Sequence, residues 1–233
     1  GNSHNPALFW QHFSFISQQL YRLTKPGRIM AVHVAQLVTT KTYHGEIGLQ
    51  DFRGDTIRHF KEGGWIHHGE VVIDKNPQAQ AIRTKSKALL FVQLEKDSSW
   101  LRPALPDFIL LFRRPGENAV PIKPDVSRDQ WIEYAHPVWY GLRETDTLNV
   151  AMARSPEDER HICPLALPVI ERCLRLWSNR GDTVLSPFAG IGSEVYQAVK
   201  LGRRGIGVEL KREYWECAVR NVRAAELESR RPT

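Results

Sequence analysis

Cysteine is scarce in this chain. The three present, Cys163, Cys173 and Cys217, stand at no Cys-x-x-Cys or Cys/His spacing. That excludes a disulfide framework and a structural zinc site and points to a reducing, cytoplasmic setting. No apolar run reaches the length of a membrane span, and no signal-peptide pattern, internal repeat or low-complexity tract occurs. What is present is a hydrophobic content of 42% over 233 residues, enough to bury the core of one α/β domain. Net charge is +6, a balance that favours a polyanionic partner but is equally met by a solvated basic surface.

The most informative stretch is Thr183-Val184-Leu185-Ser186-Pro187-Phe188-Ala189-Gly190-Ile191-Gly192. β-compatible residues run into a Pro-Phe-Ala-Gly-x-Gly turn. A helical pattern follows from Ser193 to Leu201, then a short strand from Gly205 to Val208 that ends on Glu209, 19 positions after Gly190. Strand, glycine turn, helix, strand and terminal acid make half of a nucleotide-binding βαβ unit. Glycines let a ligand approach the backbone, and the acid accepts hydrogen bonds from ribose hydroxyls. Val195 stands where a third glycine would complete Gly-x-Gly-x-x-Gly, so a pyrophosphate on the helix N-terminus is disfavoured. Adenosine without phosphates fits better, and S-adenosyl-L-methionine is the candidate cofactor.

Ser186 to Gly192 resembles motif I of the amino-group DNA methyltransferases, usually Asp-Pro-Phe-x-Gly-x-Gly, with Ser186 in place of the aspartate. Glu209 matches the family's acid at the end of the second strand. Arg160-His161-Ile162-Cys163-Pro164-Leu165 resembles its cofactor-binding motif X. Motif X ahead of motif I, both near the C-terminus, is similar to the circularly permuted β-type order. The resemblance extends through Leu23 to Arg28, Gly64-Trp65 to Lys75-Asn76-Pro77, and Asp107 to Arg113.

The resemblance implies an α/β fold, a Rossmann-like methyltransferase sheet flanked by helices in permuted order, with residues 1–233 forming a single domain. It implies methyl transfer to adenine N6 or cytosine N4 of a base flipped out of double-stranded DNA. Cofactor contacts fall on Thr147, Leu148, His161, Ile162, Cys163, Pro164, Pro187, Phe188, Ala189, Gly190, Gly192, Ser193, Glu209 and Leu210. Segments 76–106 and 115–145 become DNA-facing insertions, and a prokaryotic or phage source is implied. A homodimer is among the candidate assemblies.

The family's catalytic motif IV, (Asp/Asn/Ser)-Pro-Pro-(Tyr/Phe/Trp), occurs nowhere in the sequence. In the permuted order it belongs just ahead of the first helix. The expectation is therefore a fragment incomplete at its N-terminus, or else a non-catalytic DNA-binding relative that keeps the cofactor pocket. No catalytic residue is assigned. A nicotinamide oxidoreductase and an RNA or protein methyltransferase are further alternatives.

Elsewhere, Asn5-Pro6 predicts a helix start, and Phe9, Phe13, Ile16, Leu20 and Leu23 form one apolar face ended by Pro26-Gly27. Ile29 to Val34 reads as a buried strand, with His33 satisfied beside the core. Val38 to Gly48 reads as an exposed polar loop, either ordinary surface or one that orders on DNA with Lys41 on a phosphate and Tyr43 on a base. Phe52 to Phe60 is a second helix and Trp65 to Ile73 a strand. Pro77 to Trp100 is a basic excursion before the strand Phe108 to Phe112. Pro115 to Asp129 is irregular, and the aromatic run Trp131 to Tyr140 is expected to be buried. Helices from Pro164 to Trp177 and Arg212 to Leu227 complete the reading.

Overall fold

A computed structural model describes residues 5–84, 86–148 and 164–229. They divide into two compact units, one from residues 1–119 and 136–141, the other from 120–135 and 142–233.

The first unit opens with α1 (Pro6–Leu23), whose Asn5 side chain accepts from the Ala7 and Leu8 N–H groups. Those amides have no partner within the helix, so an asparagine at this position fixes where it starts. The strands β1 (Ile29–Ala35), β4 (Ile66–Ile73), β5 (Asp107–Arg113) and β6 (Val138–Trp139) form one mixed sheet in the order β1-β5-β4-β6. Between β1 and β4 lie β2 (Leu37–Thr39), α2 (Lys41–His44), β3 (Gly48–Gln50) and α3 (Phe52–Glu62). On one sheet face Val34, Leu110 and Phe112 pack with Phe60 and Trp65, and Phe13, Leu20 and Tyr21 of α1 close over them. Leu23, the last residue of the predicted stripe, is exposed.

Two expectations are revised here. The predicted polar loop is an antiparallel hairpin, Leu37 opposite Gln50, with α2 at its tip. Most of its side chains are exposed, Leu37, Val38 and Leu49 among them, so no alternation of buried and exposed positions marks it in sequence. In the aromatic run only Trp139 is fully buried, whereas Trp131 and Tyr140 are more than half exposed. Trp139 is the one carried inward on a sheet strand.

The excursion between β4 and β5 holds α4 (Pro77–Thr84), α5 (Phe91–Lys96) and two short 3₁₀ turns. The buried Gln80 closes its base, donating to the Leu105 carbonyl and accepting from the Leu105 N–H, both at 2.9 Å. Gln80→Ala should remove both bonds, about 1–3 kcal/mol of local stability. Tryptic cleavage after the exposed Lys87 and Lys96 is then expected to accelerate several-fold, and unchanged cleavage would show that the clamp is dispensable.

The second unit contains α6 (Arg128–Tyr134), α7 (Leu167–Trp177), β7 (Thr183–Ser186), α8 (Ser193–Lys200), β8 (Arg204–Gly207) and α9 (Arg212–Ser229). β7 and β8 pair in parallel, with α8 as the crossover between them, a βαβ unit. Ile170, Leu174, Ala198 and Leu201 form its core with Val184. Among the described residues no helix is long and apolar enough to cross a membrane, and no His/Cys/Asp/Glu group is arranged to hold a metal ion.

Candidate functional site

The carboxyl ends of β7 and β8 are laced together beyond their ladder. The Val208 N–H donates to the Ser186 carbonyl at 3.0 Å, and the Ala189 N–H donates to the Val208 carbonyl at 2.9 Å. Residues 187–192 then turn into α8. Gly190 and Gly192 both lie at positive φ, +52° and +87°, which side-chain-bearing residues adopt at a cost. A Cβ added at Gly190 would meet nothing within 4 Å, so the space beside it is open; at Gly192 it would lie 2.9 Å from Ala218 Cβ. One glycine thus leaves room for a ligand, and the other lets α9 press against the turn.

The missing third glycine has a structural counterpart. In the dinucleotide fingerprint that residue allows close packing of helix on strand. Here the glycines sit on the strand instead. Cβ atoms added at Gly205 and Gly207 would fall 2.6 Å from Val195 Cγ1 and 2.9 Å from Val195 Cγ2. Val195 fills that space.

Glu209 is held in place at both oxygens. Oε2 accepts from the Gly190 N–H and Oε1 from the Lys211 N–H, each at 2.8 Å. A carboxylate has about four acceptor sites, so both oxygens keep capacity for neighbouring hydroxyls while the side chain stays fixed. A fixed acceptor loses little rotamer freedom on binding. Ser186, where the resembled motif has aspartate, is buried, and its Oγ donates to Glu194 Oε2 at 3.4 Å. Aspartate there would set two carboxylates against each other.

The structure places the other expected contacts as follows. Ala189 and Ser193 are buried, Pro187 and Pro164 half-buried, and Phe188 and Leu210 exposed, Leu210 at 98%. Leu148 packs with Tyr214 against the buried pair Ile191 and Cys217, which brings the 142–148 segment to the glycine turn. The Thr147 N–H donates to the Thr145 carbonyl, and the Asp146 carbonyl accepts from Leu167 N at the start of α7. His161, Ile162 and Cys163 lie outside the described residues. A groove of about 260 Å³ borders Glu209 and Gly207 along the Trp215, Val219 and Val222 face of α9.

Two features of the second unit were not legible in sequence. Ala218 and Asn221 of α9 support the turn, Asn221 Nδ2 donating to the Ile191 carbonyl at 2.8 Å. Nothing local marks a pairing across 30 residues. The other is at Cys173 of α7, where burial pushes the thiol up to about 12 and so disfavours the reactive thiolate.

In the first unit, His33 sits near the carboxyl end of β1 as expected. It shares the Asp107 carboxylate, at 2.9 Å, with Lys75 Nζ at 2.8 Å. Burial alone would raise the Asp107 pKa. The hydrogen bonds and charges of His33 and Lys75 outweigh it and hold the carboxyl below its ordinary value. Gln36 is structural, donating to Asp51 and accepting from the Arg53 N–H. A hollow of about 590 Å³ lies where β4 and β6 end, lined by Asp74, Lys75, Arg102, Pro103 and Tyr140 among others.

Comparison with known proteins decides the family. The model of the N6/N4 methyltransferase family, described as DNA methylase, matches residues 2–220. The chain belongs to that family of DNA methylases. It is 28% identical to the Type II methyltransferase M.BglI of Bacillus subtilis over 117 residues, 50% of this chain and 30% of that protein. It is 24% identical to the Type II methyltransferase M.MjaI of Methanocaldococcus jannaschii, over 83% of this chain and 60% of that one. The orphan methyltransferase M.BamHII of Bacillus amyloliquefaciens is 26% identical over 91% of this chain and 80% of its own length. The chain therefore spans less than two thirds of the first two relatives. Among solved structures, a Thermus thermophilus protein in complex with S-adenosyl-L-methionine superposes at TM-score 0.72, 20% identity, over 94% of this chain and 79% of that one. The cytosine-N4-specific PvuII DNA methyltransferase superposes at 0.66, 15% identity, over 91% and 70%. These likenesses establish the methyltransferase α/β fold, a mixed sheet flanked by helices.

Proposed function

We propose that the methylase holds S-adenosyl-L-methionine at the β7–α8 turn and Glu209, and serves methyl transfer to an exocyclic amine of DNA, adenine N6 or cytosine N4. The observation that carries this reading is the locked Glu209 carboxylate beside Gly190, at a turn with open space for a ligand. The donor set fits the cofactor: two fixed carboxylate oxygens suit the two hydroxyls of a ribose, and an exposed Phe188 offers a ring face to adenosine or the methionine chain. Residues 147–148 and Pro164, with His161, Ile162 and Cys163, would complete the pocket. When bound, the cofactor supplies a methyl group on a positively charged sulfur, open to attack by a nitrogen lone pair. The chain's own contribution is to bind and orient it, because alignment of two substrates supplies much of the rate.

Double-stranded DNA is the proposed second substrate, approached by segments 76–106 and 115–145. In the first stretch the cations Arg83, Lys87, Lys96 and Arg102 accompany exposed Phe91 and Trp100, and the second stretch carries exposed Trp131 and Tyr140. Basic residues favour phosphate contacts, and exposed aromatic faces stack on unpaired bases. With bacterial and archaeal relatives, the cytoplasm of such a cell is its proposed place. The second reading is a relative that binds cofactor and DNA without transferring the methyl group, consistent with a sequence that holds no (Asp/Asn/Ser)-Pro-Pro-aromatic motif.

The test is transfer of labelled methyl from S-adenosyl-L-methionine to duplex DNA, followed by nucleoside analysis. N6-methyladenine or N4-methylcytosine is the expected product. Binding of both ligands without product, by an N-terminally extended chain as well as by this one, would favour the second reading, and binding of neither would remove both.

A further inference from the structure

We propose that Asn221 of α9 is a positioning residue for the cofactor turn, an inference that rests on the cofactor reading above. The turn contains three successive peptide groups between Ala189 and Gly192, and two of them are tied at both ends. In the first, the Ala189 carbonyl accepts from the Gly192 N–H at 2.7 Å, and the Gly190 N–H donates to Glu209 at 2.8 Å. In the third, the same Gly192 N–H makes that bond, and the Ile191 carbonyl accepts from Asn221 Nδ2 at 2.8 Å. The middle peptide differs. The Ile191 N–H has no hydrogen-bond acceptor among the described residues. Of the three amide donors here it alone has no acceptor among the described residues, and its direction is set by the two peptides that flank it.

Among the described residues Asn221 is the one side-chain tie to the third peptide, and it reaches the turn from another element. It stands one helical turn after Cys217, whose Sγ lies 3.7 Å from the same amide nitrogen. Cys217 and Ile191 are both buried, at 1% and 2% exposure, and pack together. Ala218 presses on Gly192 from the same stretch of helix. An unsatisfied buried carbonyl is costly, so without Asn221 the Ile191–Gly192 peptide is free to rotate away. That rotation re-aims the Ile191 N–H and loosens the turn that carries the bond to Glu209. Asn221 thereby sets affinity for the cofactor without touching it.

The experiment is calorimetric titration of S-adenosylhomocysteine into the wild-type chain and into Asn221→Asp, Asn221→Ala and Tyr196→Phe. Asp is the same size as Asn but has no amide donor. Ala avoids setting a carboxylate against the carbonyl, in case Asn221→Asp does not fold. Tyr196→Phe removes a different α8–α9 bond, Tyr196 Oη to Glu228 at 3.2 Å, and reports general loosening of α9. Both Asn221 variants should bind about tenfold or more weakly, the loss of one buried hydrogen bond with its unsatisfied partner, while Tyr196→Phe stays within about twofold. Deuterium uptake in a 187–195 peptide should rise in the Asn221 variants while a 169–177 peptide is unchanged. Asn221 variants with wild-type affinity and wild-type exchange would overturn the assignment and leave the cofactor reading intact. A wild-type chain that binds no S-adenosylhomocysteine would overturn both.

Discussion

Replacing Arg203 by alanine is expected to lower the unfolding free energy by about 3–5 kcal/mol, the usual cost of breaking a buried ion pair from one side. The Arg203 side chain is 0% exposed, and its guanidinium holds both oxygens of Asp125, Nη1 to Oδ2 at 2.9 Å and Nη2 to Oδ1 at 3.1 Å. The same fork donates to the carbonyls of Leu174, Ser178 and Leu201 and to Ser178 Oγ. One side chain therefore joins residue 125, the end of α7 and the entrance to β8. Arg203→Lys keeps the charge but not the planar fork, so an intermediate loss is expected.

The pH dependence follows with a definite sign. Burial works to raise the Asp125 pKa, but the hydrogen bonds and charge of Arg203, with the charge of Arg175, keep it below the ordinary 3.8. This pair's contribution is full above that unfolded value and is lost as pH falls through the lower folded one. Asp125→Asn should therefore unfold with less acid dependence below about pH 4 than the wild type. Denaturant titration at pH 7 and near pH 3 reads both effects. A loss under about 1 kcal/mol for Arg203→Ala would mean that Arg175 and Arg180, at 3.6 and 3.4 Å from Asp125, suffice to hold the segment.

The second large effect is expected at Glu209. Glu209→Ala should weaken S-adenosylhomocysteine by about tenfold or more, since charge-assisted hydrogen bonds are worth roughly 1.5–3 kcal/mol each. Two losses combine. The ligand hydroxyls lose their acceptor, and the Gly190 and Lys211 N–H groups lose theirs, so the turn is less well preorganised. Glu209→Gln separates them, because its single carbonyl oxygen can serve only one of the two amides and its NH₂ offers hydroxyls the wrong partner. A Gln variant as weak as Ala shows that both oxygens are needed.

The cofactor half of the fold was readable because its signals are local. Thr183 to Ser186 has β-compatible residues, Pro187 to Gly192 has the composition only a tight turn needs, and the strand ends on an acid. The observed boundaries of β7, α8 and β8 lie within a residue or so of those expected. Asn5-Pro6 fixed the start of α1 for the same reason. The hairpin at residues 37–50 is silent in the sequence because neither of its faces is buried, so no period of two is imprinted on it. The capping box at the start of α6, Ser127 with Gln130, is a legible signal hidden by the prolines before it. The ties that position the sites were beyond reach. Asp125 finds Arg203 across 78 residues, Asn221 finds Ile191 across 30, and Lys75, just past β4, meets His33 of β1 on one carboxylate contributed by β5. Such pairs are made by topology and leave no spacing in the sequence.

The most direct measurement is calorimetric titration of the 233-residue chain with S-adenosylhomocysteine, with NAD as the competing ligand. Saturable binding of S-adenosylhomocysteine at about micromolar affinity, abolished or weakened by Glu209→Ala and unaffected by NAD, is the expected result. Binding of NAD at the same site, or S-adenosylhomocysteine affinity indifferent to Glu209, would contradict a methyl-donor pocket at the β7–α8 turn.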